Sequence, residues 1–334
     1  MADVSIEIDF DSDRGQLLLI AALAVAVILV GVALLLNAAI FTENVATRET
    51  GADGREAIDI RGSTVADIGE LIERENEREN EPDVTDRVGD GIDAIVPLLE
   101  REHIRHGIVV DLERQGIDEG ERIEWDTDVR SENFTVEREE EDEEGNTILV
   151  DEPEWTLLTE VNATRGFTLT IDRTTLESLD EPNETQLQDE AFGIEFAGED
   201  ITQFIYADQD SGDIVVAQVS GGSVDHRCSI ASADEVTVDL TGDRLTTDEE
   251  MTRCHRGLWP TTDFEQIDSI EITNGNQAGG TFSLTIDNES TVANEDESEL
   301  IVEPAVYAAT VEFRYTSADL DVETQVVVAP GEPR

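Results

Sequence analysis

Four side chains between positions 226 and 255 are soft ligands of the kind that bind zinc, and two of them can form a covalent link. Cys228 and Cys254 are the two cysteines of the chain, and His226 and His255 lie beside them. Zinc accepts two cysteines and two histidines as ligands, but in the usual fingers about two to four residues separate paired ligands. Here one residue or none separates them, and adjacent ligands such as Cys254 and His255 point apart, so a zinc site is disfavoured.

A disulfide between Cys228 and Cys254 is the simpler interpretation if this part of the chain lies outside the cell, where thiols oxidise. It would close a loop of about 25 residues and stabilise the fold by roughly 3–4 kcal/mol in the chain-entropy model. Two free cysteines and a zinc site are the alternatives. The prediction is therefore a disulfide, with no metal and no cofactor.

Two further patterns resemble parts of cation sites. His103 and His106 are spaced to share a helix face, but no Asp or Cys completes a ligand set. Residues 208–213 resemble the start of a calcium loop, yet Gly212 occupies the fifth ligand position and no bidentate glutamate follows at the right distance. We expect a helix end at the histidines and a solvated hairpin turn at 208–213.

Catalytic motifs are missing from the sequence. It contains no glycine-rich phosphate loop, no Gly-x-Ser-x-Gly, no His-Glu-x-x-His and no Cys-x-x-Cys. Carboxylates are so abundant that acid–base pairs can arise at many places, and they point to none in particular. We expect a protein that is not an enzyme.

Sequons for N-linked glycans occur four times. They begin at Asn133, Asn162, Asn183 and Asn288, all in the strand-rich part of the chain. Asn-x-Ser/Thr is the glycan acceptor of exported proteins. The four sequons therefore agree with a glycosylated surface.

The charge balance of the chain is extreme. Asp and Glu number 80 against 21 basic residues, all of them arginine, for a formal net charge of −59, while 39% of residues are hydrophobic. Disorder gives such a balance, and so does life in molar salt, where the Debye length falls to roughly 3 Å and carboxylates repel one another little. Alternating apolar segments favour the salt interpretation. Nucleic acid is excluded as a partner, because binding it needs a basic surface.

One segment is long enough to cross a membrane. Residues 17–36 are all apolar, counting Gly31, and no charge interrupts them. As a helix rising about 1.5 Å per residue they span roughly 30 Å, the thickness of a bilayer's hydrocarbon core. The apolar core of a secretory signal is shorter, about 7–15 residues. We therefore expect a transmembrane helix, with the lipid bilayer as a partner.

Arg14, Gly15 and Gln16 stand directly before the apolar run. Arg-Gly-Gln followed by a long apolar helix resembles the class III signal peptide of archaeal type IV pilins and archaellins. Residues 14–48 also resemble uncharacterised membrane proteins of halophilic archaea with pilin-like N-termini. The resemblance implies that a prepilin peptidase cuts between Gly15 and Gln16 on the cytoplasmic side, and that the helix then packs with other pilin-like subunits.

Two features depart from that family. Ile20 stands where bacterial pilins usually carry a glutamate, and residues 16–334 would make a large pilin. A plain membrane anchor, in which Arg14-Gly15 is not a processing site, is the alternative. Arginines are too few on either side of the run to set its orientation by charge.

Hydrophobic periodicity divides the remaining chain. The stripe from Val65 to Ile72 predicts a helix over 63–80 with Ser63 or Thr64 as its cap, and the spacing from Val84 to Leu99 predicts a second helix. From residue 121 onward, short alternating segments rich in Val, Ile and Thr predict an antiparallel sandwich-like domain.

The predicted fold class is therefore α+β. It comprises a leader or cytoplasmic segment (1–15), a single N-terminal transmembrane helix (16–41), a short helical stalk (42–120) and an antiparallel β-rich, sandwich-like domain outside the cell (121–334). The predicted function is that of a single-pass, pilin-like or pseudopilin-like surface protein of a type IV pilus or related export system. A surface-anchored binding or adhesion module that does not polymerise is the alternative, and an anchored enzyme is less favoured.

Overall fold

The computed structural model describes residues 54–78, 83–125, 133–141, 146–260, 267–293 and 300–333. The predicted segments 1–15 and 16–41, with the processing site at Gly15 and Gln16, lie outside these residues. Within the described ranges, no helix combines the length and the apolar character that crossing a membrane requires.

The described residues form three helices, a set of strands and short 3-10 turns. The helices are α1 (54–76), α2 (Val84–His103) and α3 (Glu184–Glu190), and the 3-10 turns are Ile104–His106, Arg173–Thr175 and Gly275–Gln277. The strands are β1 (Val109–Trp125), β2 (Val136–Glu141), β3 (Thr147–Glu152), β4 (Trp155–Thr159), β5 (Thr164–Asp172), β6 (Ser178–Leu179), β7 (Phe192–Ala197), β8 (Ile201–Asp208), β9 (Ile214–Ser220), β10 (Ser223–Ile230), β11 (Glu235–Asp239), β12 (Arg244–Thr246), β13 (Met251–Arg253), β14 (Ser269–Thr273), β15 (Gly280–Asp287), β16 (Thr291–Val292), β17 (Leu300–Thr316) and β18 (Asp321–Val328).

Two eight-stranded sheets and a separate hairpin contain these strands. The first sheet has the order β13-β12-β11-β5-β15-β1-β17-β18, and the second has the order β10-β9-β8-β7-β14-β4-β16 with β6 beside β8. Neighbouring strands are antiparallel except for the short β6–β8 pair. Strands β2 and β3 pair with each other in a two-stranded sheet. The predicted antiparallel β-rich domain is confirmed.

The two large sheets enclose a common hydrophobic core. Phe167 and Ile171 of β5 face it from the first sheet, and Ile270 of β14 faces it from the second. The alternation of buried and half-buried residues along β5 and β14 follows from the period of two in a strand. Aromatic rings join the sheets, since Trp125 of β1 stacks on Trp155 of β4 with ring centroids 5.6 Å apart.

The long strands β1 and β17 carry a second core beside the first. Each has 17 residues, which at about 3.3 Å per residue gives roughly 56 Å. One extra residue lies in β1 between Arg114 and Gly116, and such a bulge moves the following side chains to the other face. Leu112 before it and Trp125 after it therefore project from the same face. Trp125 belongs to the core between the sheets, and Leu112 belongs to a core beneath the helices.

Helices α1 and α2 form an antiparallel pair over this second core. Arg87 of α2 forms an ion pair with Glu75 of α1 at 3.1 Å. Further along, a Cβ atom at Gly91 would lie 2.7 Å from two carbons of Leu71, so the helices approach closely only because residue 91 is glycine. The two contacts agree on one register: Gly91 is four residues after Arg87 in α2, and Leu71 is four residues before Glu75 in α1.

Parts of the predicted helical region differ from the observed one. Ser63 and Thr64 do not cap α1 but lie inside it, where their hydroxyls donate to the carbonyl oxygen of Ile60 at 2.9 and 2.8 Å. This local bond satisfies a hydroxyl without ending the helix. Strand β1 begins at Val109, inside the range 42–120 that was expected to be a helical stalk, because its alternating apolar residues pack beneath the helices.

Candidate functional site

The two cysteines are joined in a disulfide. Cys228 lies on β10 and Cys254 directly follows β13, with the two Cα atoms 5.2 Å apart. These are outer strands of different sheets, so the bond ties the sheet edges together. Sulfur atoms bonded to each other are not thiolate ligands. His226 and His255 are exposed beside them, and the described residues contain no group of three or more His, Cys, Asp or Glu side chains that could hold a metal ion.

The other two candidate cation sites are a helix end and a turn. His103 ends α2, and His106 ends the 3-10 turn that follows. Asp208 ends β8 and accepts hydrogen bonds from the backbone N–H and the hydroxyl of Ser211, at 2.7 and 2.8 Å. These bonds lower the pKa of Asp208. Gly212, with φ 75°, completes a turn between β8 and β9, as predicted.

The asparagines of the four sequons are all exposed, at Asn133, Asn162, Asn183 and Asn288. The side chain of Asn183 caps α3 by accepting a hydrogen bond from the N–H of Gln186 at 3.1 Å. Two sequon hydroxyls are enclosed. That of Thr164 is buried without a hydrogen-bond partner among the described atoms, and that of Ser290 accepts a bond from the N–H of Asn162 at 2.9 Å. In the folded chain, therefore, the asparagines are accessible while these two hydroxyls are not.

An acidic cleft of about 300 Å³ lies on the face of the second sheet that is turned away from the common core. Five carboxylates line it, those of Glu154, Glu184, Glu195, Asp200 and Glu271. Glu195 on β7 and Glu271 on β14 are directly opposite each other in the antiparallel register, and like charges in that position destabilise a sheet. The cleft therefore holds two negative charges at directly opposite positions of neighbouring strands, where their repulsion lowers the stability of the sheet.

Glu195 is the perturbed carboxyl of the acidic cleft. Burial raises its pKa, and the charges of Glu271, Asp200 and Glu154 raise it further. The hydroxyl of Ser269 lies 2.7 Å from a carboxylate oxygen of Glu271, where it can donate a hydrogen bond to the charged form. The chemistry that this arrangement offers is retention of a proton at Glu195.

Sequence reasoning missed Arg165, which lies in β5 and is fully buried. Its guanidinium donates to the carbonyl oxygens of Tyr307 at 2.7 Å, Val306 at 2.8 Å and Pro330 at 2.7 Å, and it pairs with the carboxylate of Glu73 in α1. One side chain thereby joins β5 to β17, to the segment after β18 and to the helices. The ring of Tyr307 lies 5.7 Å from the guanidinium carbon, and burial raises the pKa of its hydroxyl. The available sequence signal was an arginine among the apolar positions of a strand.

Comparison with known proteins gives one match. A family model described as "Family of unknown function (DUF7261)" matches residues 11–126, about a third of the chain. The matched range takes in Arg14 to Gln16, the apolar run, α1, α2 and β1, and it ends at the residue after β1. No curated protein and no solved structure matches the chain. The chain is thus similar to an uncharacterised family through its N-terminal third.

Proposed function

We propose that the protein is a membrane-anchored, pilin-like or pseudopilin-like surface protein with a structural, non-enzymatic role in a type IV pilus or related export system. The observation that carries the proposal is Arg14-Gly15-Gln16 directly before the apolar residues 17–36, a run of bilayer-spanning length. The family match begins at residue 11 and so includes this junction.

In this proposal a prepilin peptidase cuts between Gly15 and Gln16. The helix 16–41 stays in the bilayer and later packs with the same helix of other subunits, while the β-rich domain lies outside the cell. The disulfide suits an oxidising exterior, and the exposed sequon asparagines suit glycosylation. The net charge of −59 suits a protein kept soluble in molar salt.

N-terminal sequencing of the protein from isolated membranes tests the processing step. A mature chain that starts at Gln16 supports the proposal, and a chain that retains Met1 or Ala2 makes the protein a plain anchor. Gly15→Val should block cleavage, and Gly31→Ala, inside the apolar run, is the matched control that should not. Protease added to whole cells should remove the β-rich domain; cleavage only in inverted vesicles would contradict the exterior location.

A binding module that does not polymerise is the second candidate, and the β2–β3 hairpin favours it. Residues 137–141 and 147–151 are exposed along both strands, and the large apolar side chains Ile148, Leu149 and Val150 are among them. Exposed apolar residues that are contiguous in this way mark interaction sites. Replacing all three with serine should abolish adhesion to a surface or partner if the hairpin binds it, and should leave filaments or export unchanged.

A further inference from the structure

The end of the domain formed by residues 54–62 of α1 and by 98–109 exposes large apolar side chains. We call this part the helical end. Its exposed apolar residues are Ile58 (66%), Leu98 (59%), Ile104 (63%) and Val109 (53%). The antiparallel register of α1 and α2 places Ile58 level with Ile104, and Val109 opens β1 directly after the turn that follows. These side chains therefore share one end of the molecule.

The helical end is much less acidic than the chain as a whole, and its arginines lack ion-pair partners among the described residues. These two segments contain four arginines and four carboxylates. The β17–β18 turn beside Val109 adds Asp319, Asp321 and Arg314, so this end is close to neutral in a chain of net charge −59. The four arginines, Arg55, Arg61, Arg101 and Arg105, have no ion-pair partner among the described residues. Eleven of the thirteen other described arginines do have one. Free guanidinium groups are thus concentrated at this end, together with His103 and His106.

The chain enters the domain at the same end. Residues 37–53 are all that separates the apolar run from the described start of α1. Fully extended they reach at most about 60 Å, and as a helix they reach about 26 Å. A chain whose residues 17–36 span a bilayer is therefore tethered through the helical end, which stays within about 60 Å of the membrane surface.

We propose that the helical end docks on the surface of an anionic bilayer, an inference that rests on the proposed membrane anchoring. Ile58, Leu98 and Ile104 enter the boundary between headgroups and acyl chains, as apolar faces of interfacial helices do. The free arginines bind lipid phosphates, which match the guanidinium fork. In low salt the acidic remainder of the domain is also repelled by the same lipids, whereas in molar salt that repulsion is screened and the direct apolar and guanidinium–phosphate contacts orient the domain.

A tryptophan reporter in the full-length chain tests the docking. The native tryptophans Trp125, Trp155 and Trp259 are buried, so Leu98→Trp adds the exposed one. Met251→Trp is the matched control, because Met251 on β13 is 62% exposed and Leu98 is 59% exposed. The chains are reconstituted into anionic vesicles with brominated acyl chains. We expect blue-shifted emission and bromine quenching for Leu98→Trp, and the red-shifted, unquenched emission of a water-exposed tryptophan for Met251→Trp.

Charge reversal at the free arginines supplies the second arm. At low ionic strength each basic residue near an anionic surface changes binding by about fivefold, so in low-salt buffer Leu98→Trp combined with Arg101→Glu and Arg105→Glu should lose most of its quenching. Both arginines are exposed and unpaired among the described residues, so circular dichroism should show the parent fold.

The outcomes separate the docking from the anchoring. A parent chain that does not float with vesicles contradicts the anchoring itself. A chain that floats, but whose Leu98→Trp emission is quenched no more than that of Met251→Trp, overturns the docking alone. A blue shift that grows with the protein-to-lipid ratio, without bromine quenching, assigns the helical end to contact with a second copy and also overturns the docking.

Discussion

Replacing Arg165 with alanine should lower the free energy of unfolding by roughly 3–5 kcal/mol, the usual cost of removing one partner of a buried charged network. A loss of this size is at the upper end of what single substitutions usually cost in stability, and the contacts of Arg165 support it. Arg165 is fully buried and donates to three backbone carbonyls from separate parts of the chain. Each such bond to a charged group contributes about 1.5–3 kcal/mol, and its loss leaves an acceptor without its donor.

The ion pair with Glu73 should matter less than the carbonyls. The side chain of Glu73 is 47% exposed, so water screens its carboxylate and weakens the pair. In Glu73→Gln the buried guanidinium keeps its three carbonyl acceptors, and the amide oxygen can still accept a hydrogen bond from it, so the cost should be roughly 1–2 kcal/mol, less than that of Arg165→Ala. Arg165→Lys should fall between the two, because one ammonium group cannot reproduce a fork that reaches three carbonyls.

The assay is urea unfolding at a fixed molar concentration of KCl, followed by tryptophan fluorescence. Arg138→Ala is the matched control, since Arg138 is 63% exposed and pairs with Glu152 at 3.0 Å on the separate hairpin; it should cost less than about 1 kcal/mol. A loss below about 1 kcal/mol for Arg165→Ala would refute the network reasoning. A Glu73→Gln variant as unstable as Arg165→Ala would show that the ion pair, not the carbonyl bonds, carries the energy.

Three further outcomes are expected. Because the folded state raises the pKa of Glu195, it binds that proton more tightly than the unfolded chain does, and stability falls as pH rises through the folded pKa. Glu195→Gln should remove this loss and raise stability at neutral pH by about 0.2–1 kcal/mol in low salt, with less effect in molar KCl; no gain in low salt would contradict it. Reducing Cys228–Cys254 should add the mass of two hydrogens and lower the urea midpoint by the equivalent of roughly 3 kcal/mol; bound zinc without a mass change would contradict the bridge. Gly91→Ala should destabilise by about 1–3 kcal/mol through overpacking against Leu71. Gly69→Ala, whose Cβ meets Pro330 at 3.6 Å, should instead gain up to about 1 kcal/mol of helix propensity; equal effects would refute the packing argument.

Features with a strong local period were predictable. The apolar spacing from Val84 to Leu99 predicted α2, which the structure has at Val84–His103. The alternation in residues 166–172 predicted a strand that lies within β5, and the turn at 208–213 followed from its turn residues. In each case, residues only a few positions apart determine the structure: they set which face of a helix or strand is buried, or which conformation a turn adopts. The processing site and the transmembrane helix lie outside the described residues and stay predictions.

Features that need distant partners were not predictable. In the sequence Arg165 cannot be distinguished from an ordinary polar residue. Its role becomes visible only in the fold, where β17 and the segment after β18 place three carbonyl oxygens around its guanidinium. The acidic cleft needs the register that sets Glu195 opposite Glu271, among the 80 carboxylates of the chain. The free arginines of the helical end become distinctive once the ion pairs of the other arginines are known.

The sequence by itself determined the membrane-length apolar run, the acidic surface and the strand-rich domain, because length, charge and periodicity act locally and add along the chain. Tertiary structure alone decided that the helices and the second sheet share one face of the first sheet. The one extra residue in β1, between Arg114 and Gly116, brings Trp125 to the same face of the sheet as Leu112. Whether that residue forms a bulge depends on how β1 pairs with β17, which is distant in sequence. For the same reason, only the folded chain could place Ile58, Leu98 and Ile104 together at the end that residues 37–53 join to the apolar run.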